Sequence, residues 1–292
     1  MFCFLINSVL WIGAWVRNWC FDRGWIQQCS VSIPVISVGN LALGGTGKTA
    51  LVEYLVKRLE RPAVLTRGYR SKMEHQKPQL IDADCDARLC GDEPALLAKS
   101  SMVVVGKDRC EGARVAMNAG AKVLVMDDGM QHRYLKRDLN IVIIDRSRLM
   151  REPMRALKRA DLVITFEEDP GFFDQIKKYT NAPVVGLRYQ IEPVEGPVAA
   201  FCAIGNPKRF FNGLEKAGAT LVAKRAKRDH STFSEKELQA LHAKAPLVCT
   251  RKDYVKLKTN LPVRCIDAKL EFTFGKEHLD KMLEKIGSNR LI

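Results

Sequence analysis

The sequence predicts an α/β fold: a parallel sheet covered by helices, followed by a smaller α/β unit. Three observations point there. From residue 30 onward, short β-branched runs alternate with amphipathic stretches, the pattern of strands buried on both faces and joined by crossover helices. A glycine-rich segment follows the first of these runs directly. Near residues 186–197 the alternation loosens around Gly186, Pro193, Gly196 and Pro197 and then resumes, which marks a hinge. The 292 residues, 47% hydrophobic and 27% charged, suffice for two domains or one large one. No tract is low in complexity and no repeat has a fixed period, which argues against disordered tails, collagen-like arrays and solenoids.

The amino-terminal segment is different in kind. Residues 1–16 carry no charge, and as a helix they reach about 24 Å against a hydrocarbon thickness of roughly 30 Å, so spanning is disfavoured. No basic residue precedes the apolar stretch, as a secretory signal requires. All four tryptophans lie here, and Trp11, Trp15 and Trp19 share one side of a helix. Such a stripe suits a membrane interface or a core helix; Arg17 and Arg23 favour the interface. Residues 1–29 are therefore expected to form a membrane-interface helix, 30–188 the first α/β domain, and 189–292 the smaller one.

Within the first domain the predicted strands are 35–38, 63–66, 102–105, 122–126, 141–144 and 162–165, with helices over 49–59, 94–99, 109–118 and 153–159. In the second, strands are predicted at 198–204, 220–223 and 247–250 and helices at 207–217 and 235–243, with a last helix over 276–286 able to pack on either domain. Ligands of such sheets bind at the carboxyl ends of the strands.

Forty-seven basic against thirty-three acidic side chains leave a net charge of +14, which implies an anionic partner: nucleic acid, an anionic membrane surface or a phosphorylated substrate. No basic region is interleaved with base-stacking aromatics, which speaks against nucleic acid. The nine cysteines are scattered and never spaced Cys-x-x-Cys. They are expected to be reduced thiols without a disulfide framework or zinc site.

The first strand runs into Gly39-Asn40-Leu41-Ala42-Leu43-Gly44-Gly45-Thr46-Gly47-Lys48-Thr49. A loop of this type wraps phosphates with backbone N–H groups, and the following helix directs its positive end at the anion. Gly44, Gly45, Thr46 and Gly47 would form the cradle, Lys48 would reach the β and γ phosphates, and Thr49 would hold Mg2+. Ala42 replaces the first consensus glycine. Read from Gly45, the segment also fits a dinucleotide fingerprint with Arg67 in place of the usual acid, so on this element alone an NADP-type site stays open. The Lys-Thr pair and the acidic pair Asp127-Asp128, at the end of a buried run in the same sheet, favour a nucleoside triphosphate with Mg2+.

These motifs resemble one family. Val38-Gly39-Asn40-Leu41, Gly44 to Thr49, Arg67-Gly68-Tyr69, Gly91-Asp92-Glu93-Pro94, Asp127 to Arg133, Arg137-Asp138, Arg151-Glu152-Pro153 and Gly205-Asn206-Pro207 occur in the order seen in tetraacyldisaccharide 4'-kinase, the lipid A 4'-kinase of Gram-negative bacteria. The likeness spans nearly the whole chain. It implies a phosphate-loop NTPase-type domain joined by a hinge to a smaller carboxyl-terminal α/β domain. The implied reaction transfers the ATP γ-phosphoryl group, with Mg2+, to the 4'-hydroxyl of a tetraacylated glucosamine disaccharide 1-phosphate. It further implies a peripheral protein on the cytoplasmic face of the bacterial inner membrane, in contact with its anionic surface.

The resemblance also implies roles. Asp92 paired with His230 would be the base, although Asp92 also suits a helix cap and His230 precedes the capping-box pattern Ser234-Glu235-Lys236-Glu237. Arg151 would bind a phosphoryl oxygen, or merely precede a helix begun by Pro153; the family carries a longer segment before it. Asp128, with Asp127 beside it, would organise the metal, and Gln131 would contact nucleotide or substrate. The competing class is a regulatory ATPase or GTPase of the deviant phosphate-loop kind, whose signature lysine is here Leu43.

Overall fold

The structure, a computed structural model, describes residues 13, 15–42, 47–69, 71–145, 152–166, 169–229 and 231–288. A first helix, α1, covers residues 15–22. The large unit then runs β1 (Val35–Asn40), α2 (Lys48–Val56), β2 (Pro62–Thr66), β3 (Gln79–Ile81), α3 (Ala87–Cys90), α4 (Asp92–Ala98), β4 (Met102–Val105), α5 (Arg109–Asn118), β5 (Val123–Asp127), β6 (Leu139–Ile144), β7 (Leu162–Thr165), α6 (Pro170–Lys177) and β8 (Val184–Ile191). The small unit follows as β9 (Gly196–Cys202), α7 (Pro207–Lys216), β10 (Ala219–Ala226), α8 (Glu235–His242), β11 (Leu247–Thr250), α9 (Arg251–Tyr254) and β12 (Val263–Ile266). The described chain ends with β13 (Ala268–Phe274) and α10 (Lys276–Ser288).

The large sheet has nine strands in the order β13-β8-β7-β6-β1-β5-β2-β4-β3. From β8 to β4 every neighbour pairs in parallel; the two edge strands, β13 and β3, are antiparallel. All six residues of β1 are buried, because α2 and α4 cover one face through Leu51, Leu55 and Leu97, while α5 covers the other through Ala113 and Ala116. This two-sided cover is why the strands read as continuous apolar runs. The small sheet, β10-β9-β11-β12, is parallel throughout.

Four expectations change. Residues 186–191 are strand and not hinge, because β13 returns from the far end of the chain and pairs with β8 from Gly186 to Ile191. The link between the units narrows to residues 192–195. Residues 268–288, grouped by sequence with the carboxyl-terminal unit, lie in the large sheet, where Leu279 and Ile286 of α10 join its core. The expected helix after Pro153 is a 3-10 turn, Met154–Arg159. Cys29 and Cys110 form a disulfide with Cα atoms 6.2 Å apart, within the usual range. Cys29, Cys110 and Leu135 pack in one core cluster, a meeting of the two cysteines across 81 residues that spacing does not reveal.

Helix α1 docks by its polar side: Asn18 Nδ2 donates to Glu152 Oε2 at 3.0 Å, and Asp22 Oδ1 accepts from Arg133 Nη2 at 2.7 Å. Phe21 is buried beneath it, while Trp15 and Trp25 stay 65% and 68% exposed. Among the described residues no helix is long and apolar enough to cross a membrane.

Candidate active site

Gly47 caps α2 with φ 93, a left-handed conformation that favours glycine. A Cβ there would also strike the Tyr189 hydroxyl and the Phe166 ring. Lys48, the first residue of α2, extends back to the end of β5, where its Nζ lies 3.2 Å from Asp128 Oδ1. Thr49 is the next residue of the helix. Gly44, Gly45 and Thr46 lie outside the described residues.

Asp127 ends β5, buried, and Thr66 Oγ1 donates to its Oδ2 at 3.3 Å. Its Oδ1 is buried with no hydrogen-bond partner among the described residues. Asp128 has φ 55, an αL turn that asparagine and aspartate adopt most readily after glycine. Below the pair, Arg109 at the head of α5 is buried and donates to the Gly106 carbonyl oxygen. Burial holds its guanidinium down to about 10, countered by Asp127 and Asp128. An orphaned carboxylate oxygen on Asp127, next to Asp128 in sequence, fits Mg2+, which keeps several waters and takes only one or two protein carboxylates besides phosphate oxygens.

Burial, then the charge of Glu93, pushes Asp127 up to about 7 from an ordinary 3.8, while Lys48 pulls it down. The folded chain thus holds this proton more tightly than the unfolded chain. Stability falls as pH rises from about 4 to about 7, and the burden is full above that window. Asp127→Asn is therefore expected to raise the melting temperature of nucleotide-free protein at pH 8, with a smaller gain at pH 5.5. Thermal melts at the two pH values check this; an equal or larger gain at pH 5.5 contradicts the buried-charge account.

Gly91, φ 100, precedes α4 and makes no side-chain cap. Asp92 is not the cap either: it is the first helical residue, and its Oδ2 lies 3.2 Å from Lys256 Nζ of the small unit. A cleft of about 1000 Å³ opens between the units, lined by Tyr69, Asp92, Lys99, Arg228, Lys256 and Lys258 among others. His230 lies outside the described residues, but its neighbours Asp229 and Ser231 line this cleft. The capping box at Ser234 and Glu237 forms as expected. Arg151 also lies outside the described residues. Gln131 turns inward: its Nε2 donates to the Asn40 carbonyl and to Glu152 Oε1, each at 3.1 Å.

Sequence reasoning missed Arg109, Lys252 and Lys256. The lysines stand four residues apart just past the carboxyl end of β11, a spacing that puts both on one side of a helical turn. That placement at a strand end was the available signal.

The profile of the tetraacyldisaccharide-1-P 4'-kinase family matches residues 2–287. The chain is 34% identical to the tetraacyldisaccharide 4'-kinase of Aeromonas hydrophila, over 93% of this chain and 88% of that protein. It is 32% identical to that of Shewanella woodyi, over 96% and 89%. The crystal structure of LpxK from Aquifex aeolicus, an "apo" form in complex with ATP, superposes with a TM-score of 0.77 at 26% identity, covering 97% of this chain and 98% of that one. By the match over residues 2–287 and the identity to these relatives over nearly their whole length, the chain belongs to the tetraacyldisaccharide-1-P 4'-kinase family.

Proposed function

We propose that the chain performs its family's reaction in the cleft between the two sheets, using Lys48 and Thr49 at the nucleotide, Asp127 and Asp128 at Mg2+, and Asp92 as base. The chain is an ATP-dependent tetraacyldisaccharide 4'-kinase of lipid A biosynthesis. The observation that carries the residue assignment is the Lys48–Asp128 contact of 3.2 Å at a strand end, beside the orphaned Asp127 oxygen and in the same molecule as the Asp92-lined cleft.

In the transfer, the 4'-oxygen bonds to the γ-phosphorus as the bond to the β–γ bridging oxygen breaks, and ADP leaves. Asp92 takes the hydroxyl proton, with His230 as its family-implied partner. Lys48 moves with the charge that builds on the γ-phosphoryl oxygens, and Arg151 is assigned to the same group by family resemblance. Gln131 is assigned to orienting the loop after the aspartates, since its amide ties Asn40 to Glu152. Thr49, Asp127 and Asp128 would hold Mg2+, which would supply positive charge against the phosphates. Purified protein with Mg-ATP and the disaccharide 1-phosphate should yield a lipid carrying a second phosphate; ATP hydrolysis without lipid phosphorylation overturns the assignment.

The exposed Trp15 and Trp25 and the +14 charge support peripheral binding of α1 to an anionic bilayer on the cytoplasmic face. Deleting residues 1–25 is expected to abolish co-flotation with phosphatidylglycerol-containing vesicles; unchanged flotation removes α1 from that role.

A further inference from the structure

Two lysines of the small unit tie Asp92 and Glu93 to residues 229 and 231. Lys256 Nζ lies 3.2 Å from Asp92 Oδ2, 3.6 Å from Asp253 Oδ1 and 3.3 Å from the Ser231 carbonyl oxygen. The ammonium thus donates to the Ser231 carbonyl and lies within ion-pair distance of two carboxylates, Asp92 closer than Asp253. The Lys256 side chain is 8% exposed and that of Asp92 11%, so the contact is shielded from water. Asp253 is itself fixed: its Oδ1 accepts from the Ala203 N–H at 3.0 Å and its Oδ2 from Thr250 Oγ1 at 2.6 Å. One turn earlier, Lys252 Nζ lies 3.2 Å from both Glu93 Oε1 and Asp229 Oδ1. Residues 92 and 93 of the large unit are thus tied to residues 229 and 231 of the small unit.

We propose that Lys256 is the positioning residue of phosphoryl transfer: its ammonium group holds the Asp92 carboxylate against the 229–231 turn and in register with the acceptor hydroxyl. The proposal rests on Asp92 being the base. Three features favour it over a merely structural pair. The ion pair crosses from one unit to the other, so it sets the placement of Asp92 relative to the turn and not only within α4. Lys256 also donates to the Ser231 carbonyl oxygen, so the same ammonium group touches the backbone of the small unit. The anchoring carboxylate, Asp253, is bonded to the main chain at the end of β9, so the ammonium stands on rigid structure. A misplacement of a reacting group by about 1 Å costs on the order of 100-fold in rate, so the support of a base is worth nearly as much as the base.

The test compares Lys256→Met, Asp92→Asn and the double variant in the full chain. Lys256→Met is expected to lower kcat about 10- to 100-fold with KM for Mg-ATP changed less than about twofold. Added to Asp92→Asn, it is expected to cause no further loss, because it acts through Asp92. A kcat within about twofold of wild type, a raised KM for ATP at unchanged kcat, or multiplying losses in the double variant overturns the proposal. Should Lys256→Met melt below the assay temperature, Lys256→Gln, which keeps donors without the charge, is measured in its place. Both variants melting there makes Lys256 structural and also overturns it. The base reading fails separately, by an Asp92→Asn enzyme that turns over normally.

Discussion

Lys48→Ala is expected to lower kcat about 100- to 1000-fold, the loss typical when one preorganised group facing developing charge is removed. Lys48 is the first residue of α2, with its side chain 12% exposed and its ammonium 3.2 Å from Asp128. The dipole of α2 and the lysine act on the same region, but only the lysine reaches out as a full charge. The fold should survive the substitution, since α2 is held by Leu51, Val52, Leu55 and Val56, all buried in the core of the large sheet. Lys48→Arg is expected to recover little, because a planar fork does not replace a compact point charge in a cradle built for one. Steady-state kinetics with Mg-ATP and lipid acceptor, alongside a thermal melt, decide it. A stable Lys48→Ala enzyme with near-normal kcat shows that the charge on the γ-phosphoryl group is met elsewhere.

The parts of the fold that were legible in the sequence are those whose signal is local. The strands 102–105 and 162–165 and the helix 109–118 have the bounds expected of them, because continuous apolar runs with caps such as Asp108 define both ends. β13 shows the limit. Ala268, Leu270, Phe272 and Phe274 alternate with Lys269, Glu271 and Thr273, a local strand pattern, yet nothing in that pattern says that the partner is β8 of the other unit. Register and pairing are decided by tertiary contact, and so the loosened stretch after Gly186 reads as a hinge although it is paired.

The site divides in the same way. The strand-end position of Asp127 and Asp128, where Lys48 meets Asp128, was legible because a phosphate loop and a strand-end acidic pair are short motifs with a mechanism attached. The environment of Asp92 was not. Its carboxylate is met by Lys256, and that lysine has no motif around it. The cysteines fail similarly: Cys29 and Cys110 meet in the same core cluster as Leu135, and spacing carries no trace of it. Inter-unit charge pairs recur along this seam, with Arg251 Nη1 2.7 Å from Glu53 on α2 and Arg209 Nη2 3.0 Å from Asp145 at the end of β6. Each links the small unit to the large one, through α2 and through the end of β6.

Asp92→Asn is expected to lower kcat about 100- to 10,000-fold, the range for loss of a general base. The amide keeps nearly the shape of the carboxylate and still offers an oxygen to Lys256, but it takes no proton from the acceptor hydroxyl. Removing one charge of a shielded pair also leaves Lys256 less well compensated, which destabilises, and a melt must accompany the kinetics so that lost fold is not read as lost chemistry. The two effects separate by substrate. A base acts only on the acceptor oxygen, so KM for Mg-ATP should hold while kcat falls, whereas a displaced small unit would weaken nucleotide binding as well through the Arg251–Glu53 and Arg209–Asp145 contacts. Asp92→Asn with intact ATP affinity, cooperative melting and lost transfer assigns the proton to Asp92; the same variant with normal transfer assigns it to another group in the cleft.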